Sequence, residues 1–380
     1  MAIPDRSPDQ PICLGIIGTG LASRKLHWPA LARLRARFSV IGFADPVRLT
    51  AEEFAALAGL PMTGYSPDYQ GLLRSDIVDA VLVAVPIAQL FSVARDCIEA
   101  GKHVLCEKPP GIDDAEGRAF VALVDAHPNQ VVLMGENFFY RDEVRLARHL
   151  IDEGAIGQPK LLAQRWLRQS VPEPGQFSGT PWRYQNVAYR GGPLLDGGIH
   201  GVATIRMLGG DVSRIAARLS WVNPTMEAPS ALTMTFDLTS GAIGDCIWGF
   251  FAHAVPESVY DTQVIGDSGG LIVAQGHIRL VAADGGTIDY HVDSPDGGYF
   301  NQWLDFHDAI VHRTAIVGTV GQSYANMKVV LDALDAAEQE PPQSEHSVEV
   351  AAQLGVPLWR PRNATGLFDG LPTIVRHESS

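Results

Sequence analysis

Lys108, Asp196 and His200 are the side chains whose types and settings could do chemistry in this 380-residue chain. Lys108 closes a short apolar run, Ala100-Gly-Lys-His-Val-Leu-Cys-Glu107-Lys108-Pro109. Asp196 and His200 stand four apart in Gly191-Gly192-Pro-Leu-Leu-Asp196-Gly-Gly-Ile-His200. A histidine titrates near neutrality and can take a proton from a hydroxyl or return it. Such positioned acid–base catalysis contributes roughly 10²–10⁴-fold. An ammonium aimed at the reacting oxygen stabilises charge that develops there, more so where water is excluded. An aspartate one helical turn before a histidine lies on the same side of a helix, where it could orient the imidazole or bind a neighbouring substrate hydroxyl. Each residue also has a plainer reading: an exposed loop lysine, a satisfied core histidine, and an aspartate that only caps an apolar helix. Asp-x-x-x-His also fits half of a metal site, but no third ligand has suitable spacing, so no metal is expected.

A second set of residues could hold a nucleotide. Gly15-Ile-Ile-Gly18-Thr19-Gly20-Leu21-Ala22-Ser23 follows an apolar run and opens a helical pattern. In such a loop the first glycine allows the tight turn, and the second lets backbone amides approach a pyrophosphate at the helix N-terminus. Ser23 takes the third position, which predicts slightly looser helix–strand packing. Asp45 ends the next strand, where an acidic residue binds the adenine ribose hydroxyls and would repel a 2′-phosphate. NAD is therefore the expected cofactor, with NADP possible through Arg48 nearby.

The elements that must position these groups follow two grammars. Up to about residue 135, strands at 12–17, 39–44, 80–85, 103–106 and 130–134 alternate with helices at 23–37, 50–58, 90–100 and 114–126, which implies a doubly wound parallel sheet. Val85-Pro86 and Glu107-Lys108-Pro109 then sit at carboxyl ends of strands, on the same rim as the glycine loop. From about residue 155 strands follow one another. Leu232, Met234, Phe236 and Leu238 alternate with polar residues, the mark of a half-buried antiparallel strand. Further strands are expected at 242–251, 260–265, 270–274, 277–282 and 287–292, and helices near 301–312 and 323–338. The fold class is α/β: a Rossmann domain over 1–135, an α+β substrate-binding and oligomerisation domain with a large open, mostly antiparallel sheet over 136–340, and an arm or tail over 341–380. At the junction, Glu136, Tyr140 and Arg141 could contact a polyhydroxylated substrate or pack a hinge. Tyr260 and His253 are weaker candidates of the same kind, and His27 reads as packing on the loop helix.

Bulk properties narrow the partners. With 29 basic and 43 acidic residues the net charge is −14, which argues against nucleic acid or an anionic membrane. The first ten residues have no apolar signal core, and no run reaches the ~20 apolar residues that span a bilayer. Cys13, Cys97, Cys106 and Cys246 are scattered, as expected for free thiols in a cytoplasmic protein. Asn363-Ala-Thr365 matches a glycosylation sequon by chance.

Gly18-Thr-Gly20 with Asp45, the run Ala100–Pro109, Pro181-Trp182-Arg183 and Gly191–His200 together resemble the glucose–fructose oxidoreductase / inositol dehydrogenase (Gfo/Idh/MocA) family, over most of the chain to about residue 340. The resemblance implies that Lys108, Asp196 and His200 form the reaction centre with the nicotinamide over them. It implies that Asn137, Trp182 and Arg183 touch the cofactor and that Lys108-Pro109 is a cis peptide. It further implies a homodimer or homotetramer joined through the open face of the second sheet. Two departures stand out. Val85-Pro86-Ile87-Ala88-Gln89-Leu90 replaces a Thr-Pro-Asn-x-x-His pattern, and Ala203 replaces an aspartate. The resulting expectation is an NAD(P)-dependent oxidoreductase acting on a secondary alcohol or ketone of a sugar, polyol or related compound, with His200 as acid/base and Lys108 as oxyanion donor. The rivals are reduction of a nucleotide-linked or amino sugar with NADPH, and a non-catalytic dinucleotide sensor.

Overall fold

A computed structural model describes residues 10–184, 188–256, 259–293 and 296–339. The expected arm over 341–380, the sequon and the polar start of the chain lie outside the described residues.

The first sheet has the order β3-β2-β1-β4-β5-β6, all parallel. Its strands are β1 (Ile12–Ile17), β2 (Phe38–Ala44), β3 (Tyr65–Ser66), β4 (Ala80–Val83), β5 (His103–Glu107) and β6 (Val132–Gly135). Strands buried on both faces read as apolar runs, as β4 and the Val104–Cys106 centre of β5 do. Helices α1 (Trp28–Arg33), α2 (Arg48–Ala58), α3 (Gln70–Leu73), α4 (Ile87–Glu99) and α5 (Asp114–Ala126) make the crossovers. The strand order reverses between β1 and β4, and ligands bind at that point, outside the strands' carboxyl ends.

The helix expected over 23–37 is divided. A π-helical turn spans Ser23–His27, α1 ends at Arg33, and the amides of Arg37 and Phe38 both return to Leu34 O, so the chain turns before β2. The wide turn carries His27, fully buried, under the sheet rim.

After β6 comes α6 (Asp142–Asp152), followed by the second sheet, order β14-β13-β12-β11-β7-β10-β9-β8. Its strands are β7 (Pro159–Gln169), β8 (Val212–Ser220), β9 (Ala231–Leu238), β10 (Ile243–Phe251), β11 (Val259–Gly266), β12 (Gly269–Ala274), β13 (His277–Ala282) and β14 (Thr287–His291). Every pairing is antiparallel except β7 with β10. Between β7 and β8 the chain forms α7 (Pro193–Asp196) and α8 (Gly198–Gly209), and α9 (Tyr299–His312) and α10 (Val320–Glu338) follow β14.

Two features set α8 in place. A Cβ on Gly198 would lie 2.5 Å from Trp248 Cζ3, and one on Gly201 2.7 Å from Gln164 Oε1, so only glycine lets the helix lie this close to the sheet. Gln164, with no solvent exposure, donates to Gly201 O (3.2 Å) and Thr262 Oγ1 (3.1 Å) and accepts from Trp248 Nε1 (2.9 Å). A buried amide with its hydrogen bonds made fixes one register. Helix α9 packs toward the first sheet: Trp303 meets Phe38 at 5.1 Å and His27 at 5.8 Å between ring centroids. Residues 317–319 add to the edge of β6, where Met134 N donates to Gly318 O.

Candidate active site

The rim of the first sheet brings the glycine loop, β2, β4 and β5 together. Gly18 has φ +86°, and a Cβ there would lie 2.3 Å from Ala84 O, while a Cβ on Gly20 would meet nothing within 4 Å. The loop is thus wedged against the segment after β4 on one side and open on the other. Ser23 Oγ donates to Gly18 O at 2.5 Å, so the serine in the third position ties the loop down. Leu21 and Ala22 open the helical stretch, and first-turn amides have no intrahelical acceptor. These donors facing open space fit a pyrophosphate. Asp45 Oδ2 accepts from Thr19 N (2.8 Å) and Thr19 Oγ1 (3.0 Å), and Oδ1 from Val47 N (2.8 Å). A carboxylate offers about four acceptor sites, so with three taken its remaining lone pair fits a ribose hydroxyl. The loop therefore suits a dinucleotide. Arg48 is exposed and paired with Glu52 at 2.8 Å, and Val85 and Pro86 lead from β4 into α4.

Lys108 and Asp196 meet beside this rim. Lys108 Nζ donates to Asp196 Oδ1 at 2.9 Å and to Asp196 O at 2.6 Å, and Arg183 Nε donates to Oδ2 at 2.9 Å. Burial alone would raise the Asp196 pKa, but the Lys108 ammonium and the Arg183 guanidinium hold it well below the usual carboxylate range. Lys108 has three donors and uses two on Asp196, so one remains for a ligand. The Lys108-Pro109 peptide is cis.

His200 has a different partner from the one its spacing predicts. Asp196 does not orient the imidazole, because both its oxygens are engaged by cations; instead His200 Nδ1 lies 2.5 Å from Glu136 Oε1. Glu136 is fully buried at the end of β6, and the His200 ring stacks on Phe138 at 4.5 Å. A carboxylate accepts, so Nδ1 carries the proton and Nε2 keeps its lone pair. Among the described residues Nε2 makes no hydrogen bond, and His200 lines the central cleft.

Glu107, next to Lys108, bonds His27 Nε2 at 2.8 Å through Oε1. Burial opposes its charge, but His27, Lys108 and His200 together lower its pKa. His27 thus does more than pack.

The cleft is a cavity of about 210 Å³ containing Glu107, Lys108, Arg183, Asp196 and His200. That is below the roughly 300–1,000 Å³ of sites for drug-sized ligands, so a small substrate fits. Sequence reasoning missed much of its wall, including Trp166, Arg168, Phe177 and Tyr299. The alternation of Gln164, Trp166 and Arg168 along β7 was the available signal.

Other expected contacts are engaged elsewhere. Tyr140 donates to Asp305 Oδ2 (2.6 Å) and accepts from Gly318 N (2.8 Å), and Arg141 Nε bonds Glu143 Oε1 (2.6 Å) with its guanidinium over Phe138. Both are buried and neither lines the cleft. Glu136 serves His200 rather than a ligand. Asn137 donates to Gly297 O at 2.8 Å. Trp182 lies edge-on to Tyr189 and under the Arg183 guanidinium. Tyr260 bonds Thr204 at 3.1 Å, and His253 is exposed.

Comparison with known proteins gives the same picture. Residues 12–135 match the oxidoreductase family with an NAD-binding Rossmann fold, and residues 144–272 match the GFO/IDH/MocA C-terminal domain. An uncharacterized protein of Saccharomyces cerevisiae is 25% identical over 312 residues, covering 79% of this chain and 88% of that protein. Levoglucosan dehydrogenase of Pseudarthrobacter phenanthrenivorans is 30% identical over 224 residues, 56% of this chain and 55% of the enzyme, so the chain spans about half of that relative. An oxidoreductase from Thermotoga maritima superposes with a TM-score of 0.78 at 26% identity, covering 86% of this chain and 97% of its own. A levoglucosan dehydrogenase in complex with NADH and L-sorbose superposes with a TM-score of 0.77 at 20% identity, covering 87% and 97%; that likeness is one of fold. Among the described residues no helix is long and apolar enough to cross a membrane.

Proposed function

The chain is a member of the Gfo/Idh/MocA oxidoreductase family with an NAD-binding Rossmann fold, and on that footing we propose that it oxidises a secondary alcohol of a small sugar, polyol or related hydroxylated compound, or reduces the matching ketone. The observation that carries this reading is the pair of half-sites in one cleft: His200 backed by buried Glu136, and Lys108 held by Asp196.

Bound NAD supplies the hydride acceptor, so that a carbinol loses a hydride and a hydroxyl proton to become a ketone. His200 Nε2 takes the hydroxyl proton. Its Nδ1–H points at Glu136, which stabilises the imidazolium that forms. The third N–H of Lys108 donates to the substrate oxygen as charge builds on it. Asp196 keeps Lys108 aimed, and the imidazolium returns the proton in the reverse direction.

The test follows nicotinamide absorbance with NAD⁺ and a panel of sugars and polyols, and with NADH and keto-sugars. His200→Ala should lower turnover of any substrate found by about 10²–10⁴-fold while NADH binding, read by fluorescence, persists. Cofactor binding with no turnover in either direction, and no effect of His200→Ala, would replace the enzyme by a dinucleotide sensor.

A further inference from the structure

Three guanidinium or ammonium groups line the cleft, and two of them, Lys108 and Arg183, are matched by the two oxygens of Asp196. The third, Arg168, makes no hydrogen bond or ion pair with any described residue. The other carboxylate of the cleft, Glu107, is taken by His27.

Its position follows from the strand. On β7, Gln164, Trp166 and Arg168 alternate onto the face that packs under α8, and Ser170 continues that face just beyond the strand. Gln164 holds α8 beside Gly201, and Trp166 sits 6.4 Å from the His200 ring between centroids. Arg168 pairs in register with Phe250 of β10, whose ring lies 5.7 Å from the guanidinium carbon. The side chain is reached by solvent, yet protein surrounds the cleft: burial, and repulsion from Arg183, lower its pKa although Asp196 pulls the other way. An arginine stays charged in proteins, and with no protein acceptor its donors are open to an anion that enters the cleft.

The geometry points to a substrate that carries a carboxylate, bound by Arg168 in the same cleft that Lys108 and His200 line. This deepens, and rests on, the reading of the site as an alcohol dehydrogenase: the favoured substrate is a sugar acid or hydroxy acid rather than a neutral sugar. The guanidinium without a protein partner presents a planar fork that matches a carboxylate in shape. The Ser170 hydroxyl lies on the same wall, next along the face.

The test uses matched pairs on the full-length protein: D-glucuronate with D-glucose, D-galacturonate with D-galactose, and D-gluconate with D-glucitol, plus D-glucose 6-phosphate. Calorimetry of the NADH-loaded protein reads binding, and nicotinamide absorbance reads turnover. In the wild type an acid should bind at least about tenfold tighter than its neutral partner, as expected for a hydrogen-bonded charge pair. That preference should weaken between 50 and 500 mM NaCl. Arg168→Met should abolish the preference, and Arg168→Lys should retain part of it. The salt series on the wild type decides the matter if the methionine variant does not fold. Equal affinity for acid and neutral partner, or equal losses for both in Arg168→Met, overturns the proposal and leaves the dehydrogenase reading intact. Tighter binding of D-glucose 6-phosphate than of every carboxylate overturns the choice of carboxylate. An acid that binds through Arg168 but is never turned over supports the anion site and removes the dehydrogenase reading.

Discussion

Glu136 and His200, 64 residues apart in the chain, meet at 2.5 Å with the carboxylate fully buried and the imidazole facing the cleft. The glutamate belongs to the end of the first sheet and the histidine to a helix bolted on the second. The proposed acid/base group is therefore complete only when the two halves are docked.

Glu136→Gln keeps the size of the side chain and removes its charge. If His200 is the base, kcat should fall by about 10²-fold or more, while KM and NADH affinity change little, because the loss falls on the charged imidazolium of the transition state. A variant that loses affinity and keeps kcat would return Glu136 to a substrate-binding role.

Asp45→Ala tests the cofactor preference. Asp45 organises Thr19 and Val47 as well as facing the ribose position, so both cofactors should bind more weakly. The loss for NAD⁺ should exceed the loss for NADP⁺ by about tenfold, since the alanine also removes repulsion of a 2′-phosphate. Titrations of the protein's own fluorescence with NAD⁺ and NADP⁺ check this, and equal losses contradict it.

Asp196→Asn should cost about 3 kcal/mol of stability at pH 7, because it strips two cations of their carboxylate in a buried network. The folded-state pKa of Asp196 is depressed. Its contribution is thus present above the unfolded value of about 4 and is lost as pH falls below it. The gap between wild type and variant in urea unfolding should narrow from pH 7 to pH 3. A gap that stays constant would mean the network acts through packing alone.

His103 predicts a second pH dependence. It is buried, Nδ1 accepts from Val131 N at 2.8 Å, and burial together with Arg313 lowers its pKa to about 4. The folded state therefore holds it neutral. Its stabilisation is full above about pH 6.5 and is lost as pH falls toward 4, by about 3 kcal/mol. His103→Gln keeps an acceptor for Val131 and should flatten that slope in urea unfolding measured from pH 7 to pH 4.5.

What was legible in the sequence was local. The run Ile12–Ile17 with its glycines, and the alternation of Leu232, Met234, Phe236 and Leu238, gave their strands because one period decides burial there. Helix α6 escaped notice although Val144, Ala147 and Ile151 are spaced for one face, because charged residues fill the gaps. On β7 the buried glutamine interrupts the apolar alternation, and on β8 the alternation is weak. The partner of His200 was unreadable for another reason. Sequence spacing favours Asp196, one turn away, whereas the real choice depends on where two cations place themselves and on which strand end α8 leans against.

Helix α9 carries a consequence for the order in which the molecule is made. Trp303 and Phe306 belong to the same core as Trp28 and Phe38, and Tyr299 and Trp303 wall in the histidine that holds Glu107. Chains emerge from the ribosome N-terminus first, and leading domains ordinarily fold as they appear. Here the nucleotide-binding half has to wait, its apolar flank uncovered, until synthesis has passed the second sheet. A nascent chain stalled before residue 299 would display the glycine loop and the Glu-Lys-Pro turn without a closed core behind them, and would be a client for chaperones rather than a working half-enzyme.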